Sequence, residues 1–216
     1  MNPLKASKIS REDHMQFDHL EIVRIAIEAG ASIMDIYESS GQIEVQSKDD
    51  DSPLTKADIA AHKIIIRGLA TIDPEVPVVS EEGRVGDPKQ SELAWLVDPL
   101  DGTKEFIKRN GMFTVNIALM KRMNASWKPI FGVVHAPVNR TTWYGGVDVP
   151  ATKITDAETS EISVRKQTNA QTRLVASGSH RAELDEKFAK ELGEHELVRM
   201  GSVSYTHLTL PTKRIV

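Results

Sequence analysis

The stretch WLVDPLDGTKEF, residues 95–106, carries the clearest local pattern in this chain. It begins with an apolar run, typical of a buried strand, that leads directly to Asp98. Tight turns prefer Pro99 and Gly102, so we expect the chain to reverse here and to bring Asp101 back beside Asp98. The stretch therefore predicts two carboxylates held close together at the end of a strand.

Two carboxylates in this arrangement suit a hard cation. Mg²⁺ prefers oxygen ligands and keeps waters or phosphate oxygens in its remaining positions, so a few carboxylates are enough. The carbonyl of Leu100, between Asp98 and Asp101, is a further candidate ligand, and Thr103 follows. Because Asp, Pro and Gly are also what any surface turn prefers, the stretch taken alone leaves an ordinary turn equally open.

The chain before this stretch is predicted to form two helices and a short strand. Apolar residues at helical spacing indicate helices at Phe17–Tyr37 and Ala57–Leu69. The apolar pair Val78–Val79 predicts a strand, which ends on the acidic residues Glu81 and Glu82. Acidic residues at the end of a strand mark a candidate functional position.

From Ala94 onward the pattern changes to β. Short runs rich in Val, Ile and aromatic residues predict strands at Ala94–Val97, Thr114–Met120, Ile130–His135, Thr142–Tyr144, Arg173–Ala176 and Leu197–Ser202. A helix candidate, Ala182–Leu192, separates the last two strands. Helices first, then a mainly antiparallel sheet, then strands alternating with a helix predict a layered α/β (α+β) arrangement rather than a doubly wound sheet.

Composition excludes several classes of function. The chain has 216 residues, a formal net charge of −4 and no long Lys/Arg block, which argues against a non-specific nucleic-acid binder. It has no cysteine, so disulfides, thiolate metal sites and a Cys nucleophile are ruled out. With no secretory h-region and no run of membrane-spanning length, a cytoplasmic protein without an integral membrane segment is expected.

Three acidic motifs occur in a characteristic order: Asp58 in PLTKAD, Glu81 in VVSEEG and the DPLDGT segment that ends at Thr103. With WLVDPLDGTKEFIKRNGMFTVNIAL and the later SGSHR, they make the chain resemble the inositol monophosphatase superfamily. Within it, the KEF continuation after DGT is similar to the branch of CysQ-type 3'(2'),5'-bisphosphate nucleotidases. The resemblance covers residues 17–202 and implies the layered αβαβ sandwich of the inositol monophosphatase and sugar phosphatase type.

The resemblance also implies a metal site of two or three Mg²⁺ ions and an activity that Li⁺ inhibits. Glu81, Asp98 and the Leu100 carbonyl would hold one ion, while Asp98 and Asp101 would contribute to a second. Asp58, through water, would support the site, and Thr103 with Glu81 would orient the attacking water. The substrate-binding set implied in this way comprises Glu81, Leu100, Asp101, the backbone amides of Gly102 and Thr103, Ser177 and His180.

The activity implied is hydrolysis of the 3'-phosphate of adenosine 3',5'-bisphosphate to AMP, with its phosphosulfate relative as a second substrate and a role in sulfur metabolism. The partner expected is thus a small phosphorylated nucleotide. Hydrolysis of inositol 1-phosphate stays open, as does a non-catalytic protein that holds one Mg²⁺ and binds phosphate esters. The sequence leaves the oligomeric state and a loose attachment at the inner face of the cell membrane undecided.

The end of the chain departs from the family pattern. We expect an N-terminal extension at 1–16, the phosphatase domain at 17–202 and an atypical tail at 203–216. The tail, VSYTHLTLPTKRIV, resembles translated adapter or assembly artefact, with a divergent tail or a frameshift as alternatives. The family supplies a further Asp, in a W-D-x-x-A motif, beyond this point, so the chain as written is expected to be incomplete, poorly stable and weakly active or inactive.

Other conspicuous residues have ordinary structural interpretations. Glu82 is expected to be a solvated neighbour of Glu81, and the acidic run Asp49–Asp51 a solvated loop. His135 is expected to be a strand-end residue, and Lys48 a surface one. Three further histidines have no partner at ligand spacing, and two tryptophans are predicted to lie in the core: His14, His19, His62, Trp95 and Trp143.

Overall fold

The computed structural model describes residues 17–39, 45–47, 53–124, 126–163, 172–177, 190–191, 194–200 and 204. The helices are α1 (His19–Tyr37), α2 (Lys56–Ile72) and α3 (Thr103–Ile107), with a 3₁₀ turn at Pro88–Gln90. The strands are β1 (Val45–Ser47), β2 (Pro53–Thr55), β3 (Val78–Ser80), β4 (Gly83–Val85), β5 (Leu93–Asp101), β6 (Thr114–Met123), β7 (Ser126–Ala136), β8 (Thr141–Gly146), β9 (Val149–Ile154), β10 (Thr159–Glu161), β11 (Thr172–Ser177) and β12 (His195–Met200).

Eight strands form one sheet in the order β10-β9-β8-β7-β6-β5-β3-β4. Neighbouring strands are antiparallel except β3 and β5, which run parallel. Two smaller sheets consist of the antiparallel pair β1–β2 and the parallel pair β11–β12. The predicted layered α/β fold with a mainly antiparallel sheet is confirmed. The parallel pair of the large sheet, β3 and β5, positions residues of the site described below.

Helices α1 and α2 cover one face of the large sheet. Helix α1 begins after Asp18, whose side chain accepts the N–H of Leu20 at 3.0 Å and so satisfies a free amide of the first turn. The buried face of α1 comprises Ile22, Val23, Ile25, Ala26, Ala29, Gly30 and Ile33, at the helical spacing that predicted it. Within the described ranges, the structure contains no helix that is both long and apolar enough to span a membrane.

Aromatic side chains tie the short helix α3 to the rest of the core. Phe106 lies 5.3 Å, centroid to centroid, from both Tyr37 at the end of α1 and Phe113 before β6. Arg109, just after α3, donates hydrogen bonds to the carbonyls of Tyr37 and Ser39 and so satisfies acceptors at the end of α1. These contacts hold the helix that follows the DGT segment firmly in position.

Two predictions about buried and turning residues need correction. Trp95 is fully buried as predicted, but Trp143 lies half-exposed on β8, with the Lys153 ammonium 6.0 Å from its ring centroid. Trp143 points away from the face that the helices cover. The prediction that it lies in the core, which rested on its aromatic character alone, is therefore wrong. The strand that holds Asp98 also continues to Asp101 instead of ending in a tight turn, because β6 pairs with it at both Asp98 and Asp101, with an irregularity between these two positions.

His135 is a buried structural residue, as predicted. It lies next to the end of β7, its Nδ1 is 2.8 Å from Oγ1 of Thr142, and burial lowers its pKa to about 4. Its ring packs against Gly30 of α1 so closely that a Cβ at Gly30 would lie 2.4 Å from Cδ2 of the ring. The glycine therefore sets the distance between α1 and the sheet.

We expect Gly30→Ala to destabilise the fold by on the order of 1 kcal/mol in urea unfolding. Overpacking typically costs about 1–3 kcal/mol, which exceeds the roughly 1 kcal/mol that Ala gains over Gly in a helix. The contact with Thr142 keeps the His135 ring from moving aside. Gly132→Ala is the control, because the nearest atom to its added Cβ would be a carbonyl 3.9 Å away. Equal or greater stability of Gly30→Ala would contradict this packing.

Candidate functional site

The parallel pairing of β3 and β5 brings Glu81 and Asp98 together. Ser80 pairs with Val97, so the residues that follow them lie side by side, Glu81 directly after the end of β3 and Asp98 within β5. The backbone N–H of Glu81 donates to the carbonyl of Val97 at 3.1 Å, which fixes the start of the turn. The side chains of Glu81 and Asp98 are hydrogen-bonded to each other.

A β-bulge places Asp101 beside Asp98. Asp98 pairs with Asn116 and Asp101 with Thr114, so two residues on β5 oppose a single residue on β6 between these pairs. Asn116 and Thr114 are two residues apart and share one face of the sheet, and their partners Asp98 and Asp101 therefore share that face as well. The bulge achieves what the predicted tight turn was expected to do.

Asp58 approaches the same region from the first turn of α2. Its carboxylate accepts the backbone N–H of Thr55 at 2.8 Å and the Thr55 hydroxyl at 2.6 Å, which forms a capping box at the start of the helix. The other carboxylate oxygen accepts the hydroxyl of Thr103 at 3.2 Å. The sequence placed Asp58 and Thr103 in separate motifs, and the fold brings them into direct contact.

Thr103 opens α3 directly after the DPLD segment. Gly102 precedes it with a φ of 94°, in the left-handed region that favours glycine, which lets the chain leave β5 and enter the helix. The Thr103 hydroxyl lies 3.1 Å from the Leu100 carbonyl as well as near Asp58. Thr103 thus connects two of the predicted site residues.

The site is strongly acidic in character. Burial, and then the negative charges of Glu81 and Asp101, raise the pKa of Asp98 to about 8. Burial also raises the pKa of Asp58, although the hydrogen bonds from Thr55 act in the opposite direction. No basic side chain is among the main influences on the Asp98 pKa. Carboxylates crowded in this way are stabilised by a cation.

The raised pKa of Asp98 predicts a pH dependence of stability. Because the folded pKa lies above the ordinary value of 3.8, the folded chain holds the extra proton, and this contribution is fully present below about pH 4 and is lost as the pH rises through about 8. In urea unfolding with a chelator, we expect the parent to lose on the order of 1 kcal/mol between pH 7 and 9, and Asp98→Asn to lose much less. Parallel pH profiles for the two chains would contradict this environment for Asp98.

Two acidic and polar neighbours were not predicted to belong to this region. Glu82 was expected to be solvated, but it is half-buried, and its charge acts on both Asp58 and His62. The tight turn after β3 directs it towards α2 instead of into solvent. Nδ1 of His62 lies 3.0 Å from Oγ of Ser80, a contact that no spacing in the sequence signals.

Some predicted residues lie outside what the structure describes. His180, Lys48, Asp49–Asp51 and His14 are among them, and so is all of the predicted helix 182–192 except its residues 190–191. Ser177 is the last residue of β11, but its side chain is not described. Asp101 accepts the backbone N–H of Ser204 at 3.2 Å, a contact that any residue at this position could make.

The donor set fits a hard divalent cation. Glu81 and Asp98 touch each other, Asp101 is close enough to raise the pKa of Asp98, and the Leu100 carbonyl lies nearby. Among the described residues, no three His, Asp or Glu side chains converge as a ready-made metal cage. Because Mg²⁺ needs only one or two carboxylates and completes its shell with waters and phosphate oxygens, this incomplete shell suits it.

A comparison with protein families places this acidic site in a known context. The profile of the inositol monophosphatase family matches residues 16–210 of the chain. The chain belongs to the inositol monophosphatase family. The family assignment made from the three acidic motifs is thereby confirmed.

Relatives within the family share a large part of the sequence. The chain is 46% identical over 189 residues to the 3'(2'),5'-bisphosphate nucleotidase CysQ of Escherichia coli K12, with 84% of this chain and 72% of that protein covered. It is 42% identical over 192 residues to the protein of the same name from Salmonella typhimurium, with the same shares covered.

Solved structures of the family share the fold. CysQ from Bacteroides thetaiotaomicron, a bacterial member of the family, superposes with a TM-score of 0.68 at 33% identity, covering 85% of this chain and 72% of that one. The Thermotoga maritima IMPase TM1415 gives a TM-score of 0.67 at 22% identity over 85% of this chain and 68% of that one, a likeness of fold alone. The predicted fold type is confirmed.

Proposed function

We propose that this chain is a Mg²⁺-dependent phosphomonoesterase that removes the 3'-phosphate of adenosine 3',5'-bisphosphate to give AMP and phosphate. The observation that carries the proposal is the placement of Glu81 directly after β3 and of Asp98 and Asp101 on the adjacent β5, where burial and then the charges of Glu81 and Asp101 raise the pKa of Asp98. The relatives that are 42% and 46% identical are named as 3'(2'),5'-bisphosphate nucleotidases, which supports the substrate class.

In this proposal, Glu81, Asp98 and the Leu100 carbonyl hold one Mg²⁺, and Asp98 with Asp101 hold part of a second. When bound, the ions would polarise the phosphate, lower the pKa of a bound water and neutralise charge on the leaving oxygen. The protein supplies the positions of these oxygen ligands. Their crowding raises the pKa of Asp98, and a bound cation would offset this effect and favour loss of the proton.

Asp58 and Thr103 form a proton path for the attacking water. The Thr103 hydroxyl donates to Oδ1 of Asp58, so its own lone pairs can accept a hydrogen bond from a water. The attacking water gives its proton to the Thr103 oxygen while Thr103 gives its own hydroxyl proton to Asp58, which becomes a neutral carboxylic acid. Burial raises the pKa of Asp58, which improves its ability to accept that proton.

Substrate contacts follow from the same segment. We propose that the backbone N–H groups of Gly102 and Thr103 meet the phosphate, since Gly102 has no Cβ to keep an anion away. Ser177 and His180 are proposed to contact the leaving-group side.

A cytoplasmic location stays a prediction from the sequence.

An inositol-1-phosphate phosphatase is the second candidate, because the chain belongs to the inositol monophosphatase family. The two are separated by measuring phosphate release from adenosine 3',5'-bisphosphate and from inositol 1-phosphate at equal concentration with Mg²⁺. We expect kcat/KM to favour the nucleotide at least tenfold and Li⁺ to inhibit. Preference for inositol 1-phosphate would transfer the proposal to that substrate, and refusal of both would overturn it.

The proposal includes the expectation that a further Asp completes the second metal site. Alignments cover 72% of the length of the Escherichia coli relative. We therefore propose to assay the chain beside a version extended with a family-like C-terminal region. The extended version is expected to be the more active of the two, while equal activity would mean that the second metal needs no such ligand.

A further inference from the structure

We infer that His62 is a positioning residue that holds the Glu81 turn against the proposed metal site, an inference that rests on the proposed function. Its Nδ1 lies 3.0 Å from Oγ of Ser80, the residue directly before Glu81. Ser80 is buried at the end of β3, where it pairs with Val97. The contact therefore joins α2 to the point at which the chain leaves the strand and presents Glu81.

Ser80 connects His62 to the turn through a single oxygen. Its Oγ also accepts the backbone N–H of Glu82 at 3.3 Å, on the far side of Glu81. The same hydroxyl can also donate to Nδ1 of His62 or accept from it, according to the tautomer of the ring. Together with the N–H of Glu81, which donates to Val97, the backbone on both sides of the Glu81 side chain is held.

The turn needs such support because its other strand is weakly anchored. The turn leads into β4, a three-residue strand at the edge of the large sheet with all three residues exposed. An exposed edge strand of this length adds little rigidity. The contact with His62 is thus a side-chain connection between this hairpin and the layer of helices.

Helix periodicity links His62 to the other half of the site. Asp58 and His62 are four residues apart on α2 and lie on the same side of the helix. One face of α2 therefore contacts Thr103 through Asp58 and the Glu81 turn through His62. A rigid helix that touches both sets of residues keeps their spacing constant, as residues behind metal ligands commonly do.

The test measures Mg²⁺ affinity without substrate, by calorimetry and by the Mg²⁺-induced rise in melting temperature. His62→Phe keeps a ring of similar size and removes the hydrogen bond, and we expect it to weaken Mg²⁺ binding about tenfold. His62→Asn should restore affinity to within about threefold, because its amide can occupy the Nδ1 position. Ser80→Ala removes the same contact and also the bond from the Glu82 N–H, so it should weaken binding at least as much as His62→Phe. Adding His62→Phe to Ser80→Ala should then cause little further loss.

Two controls separate the outcomes. His19→Phe alters another half-buried helical histidine, one that stacks on Phe131, and should leave Mg²⁺ affinity unchanged. If the parent binds Mg²⁺ and Asp98→Asn does not, yet both His62→Phe and Ser80→Ala bind like the parent, the role of His62 is refuted and the proposed function stands. Absence of Mg²⁺ binding by the parent would overturn both. If His62→Phe fails to fold, Ser80→Ala alone decides between these results.

Discussion

Asp98→Asn is expected to reduce phosphate release from adenosine 3',5'-bisphosphate roughly a thousandfold. Asp98 is the one side chain shared by both proposed metal positions, and it also touches Glu81. Metal stabilisation of developing charge supplies several kcal/mol, and each 1.36 kcal/mol corresponds to about a factor of ten in rate. Initial rates at saturating Mg²⁺, in the chain and in its extended version, measure the loss.

The same substitution should make the metal-free chain more stable. Asn keeps the shape of the side chain and is neutral at every pH, whereas the parent must take up a proton at Asp98 to fold above about pH 4, because the pKa of Asp98 is raised to about 8. A site whose carboxylates repel one another predicts lower activity together with higher stability, whereas general misfolding would lower both. Asp148→Asn is the control, because Asp148 is exposed in the turn between β8 and β9. An active Asp98→Asn chain would be incompatible with the proposed site.

Thr103→Ala is expected to lower kcat at least about 100-fold, the lower end of what proton-transfer groups contribute. The substitution removes the hydroxyl that lies between Asp58 and the Leu100 carbonyl, while the Cβ keeps α3 in place. KM for the nucleotide should change little, since the backbone amide of residue 103 is retained. A large rise in KM with kcat unchanged would instead assign Thr103 to substrate binding.

A conservative variant and a double mutant sharpen this prediction. Thr103→Ser keeps the hydroxyl and should retain most of the activity. Asp58→Asn should also lower kcat, and combining it with Thr103→Ala should cost much less than the product of the single effects, because the two residues act as one unit. Fully multiplicative effects would mean that the hydrogen bond between them has no part in the reaction.

Much of the fold could be predicted because its signals are local. Helical spacing identified α1 and α2, and the runs of Val and Ile identified the central strands. The acidic motifs identified the residues of the site, since Asp58, Glu81 and Asp101 each lie at or beside the end of a helix or strand. What the sequence did not reveal was how β5 continues past Asp98, because the bulge depends on pairing with Thr114 and Asn116, residues distant in sequence.

The surroundings of the site could not be predicted for a related reason. The contact of His62 with Ser80 joins residues 18 positions apart, and only the packing of α2 on the large sheet brings them together. Glu81 and Glu82 are the same residue type at neighbouring positions, so the sequence does not show which of them faces α2. The conformation of the turn after β3 decides this. Trp143 shows the same limit, because an aromatic residue in a strand does not reveal which face of the sheet is covered.

Phosphorus NMR of the products formed from adenosine 3',5'-bisphosphate tests the proposed nucleotidase activity most directly. The samples are the chain, its extended version and the Asp98→Asn variant of each. We expect loss of the 3'-phosphate to give AMP and phosphate. This hydrolysis should depend on Mg²⁺, should stop when a chelator is added and should be nearly absent with Asp98→Asn. No hydrolysis by either parent form, or hydrolysis that survives both the chelator and Asp98→Asn, would contradict the proposed activity.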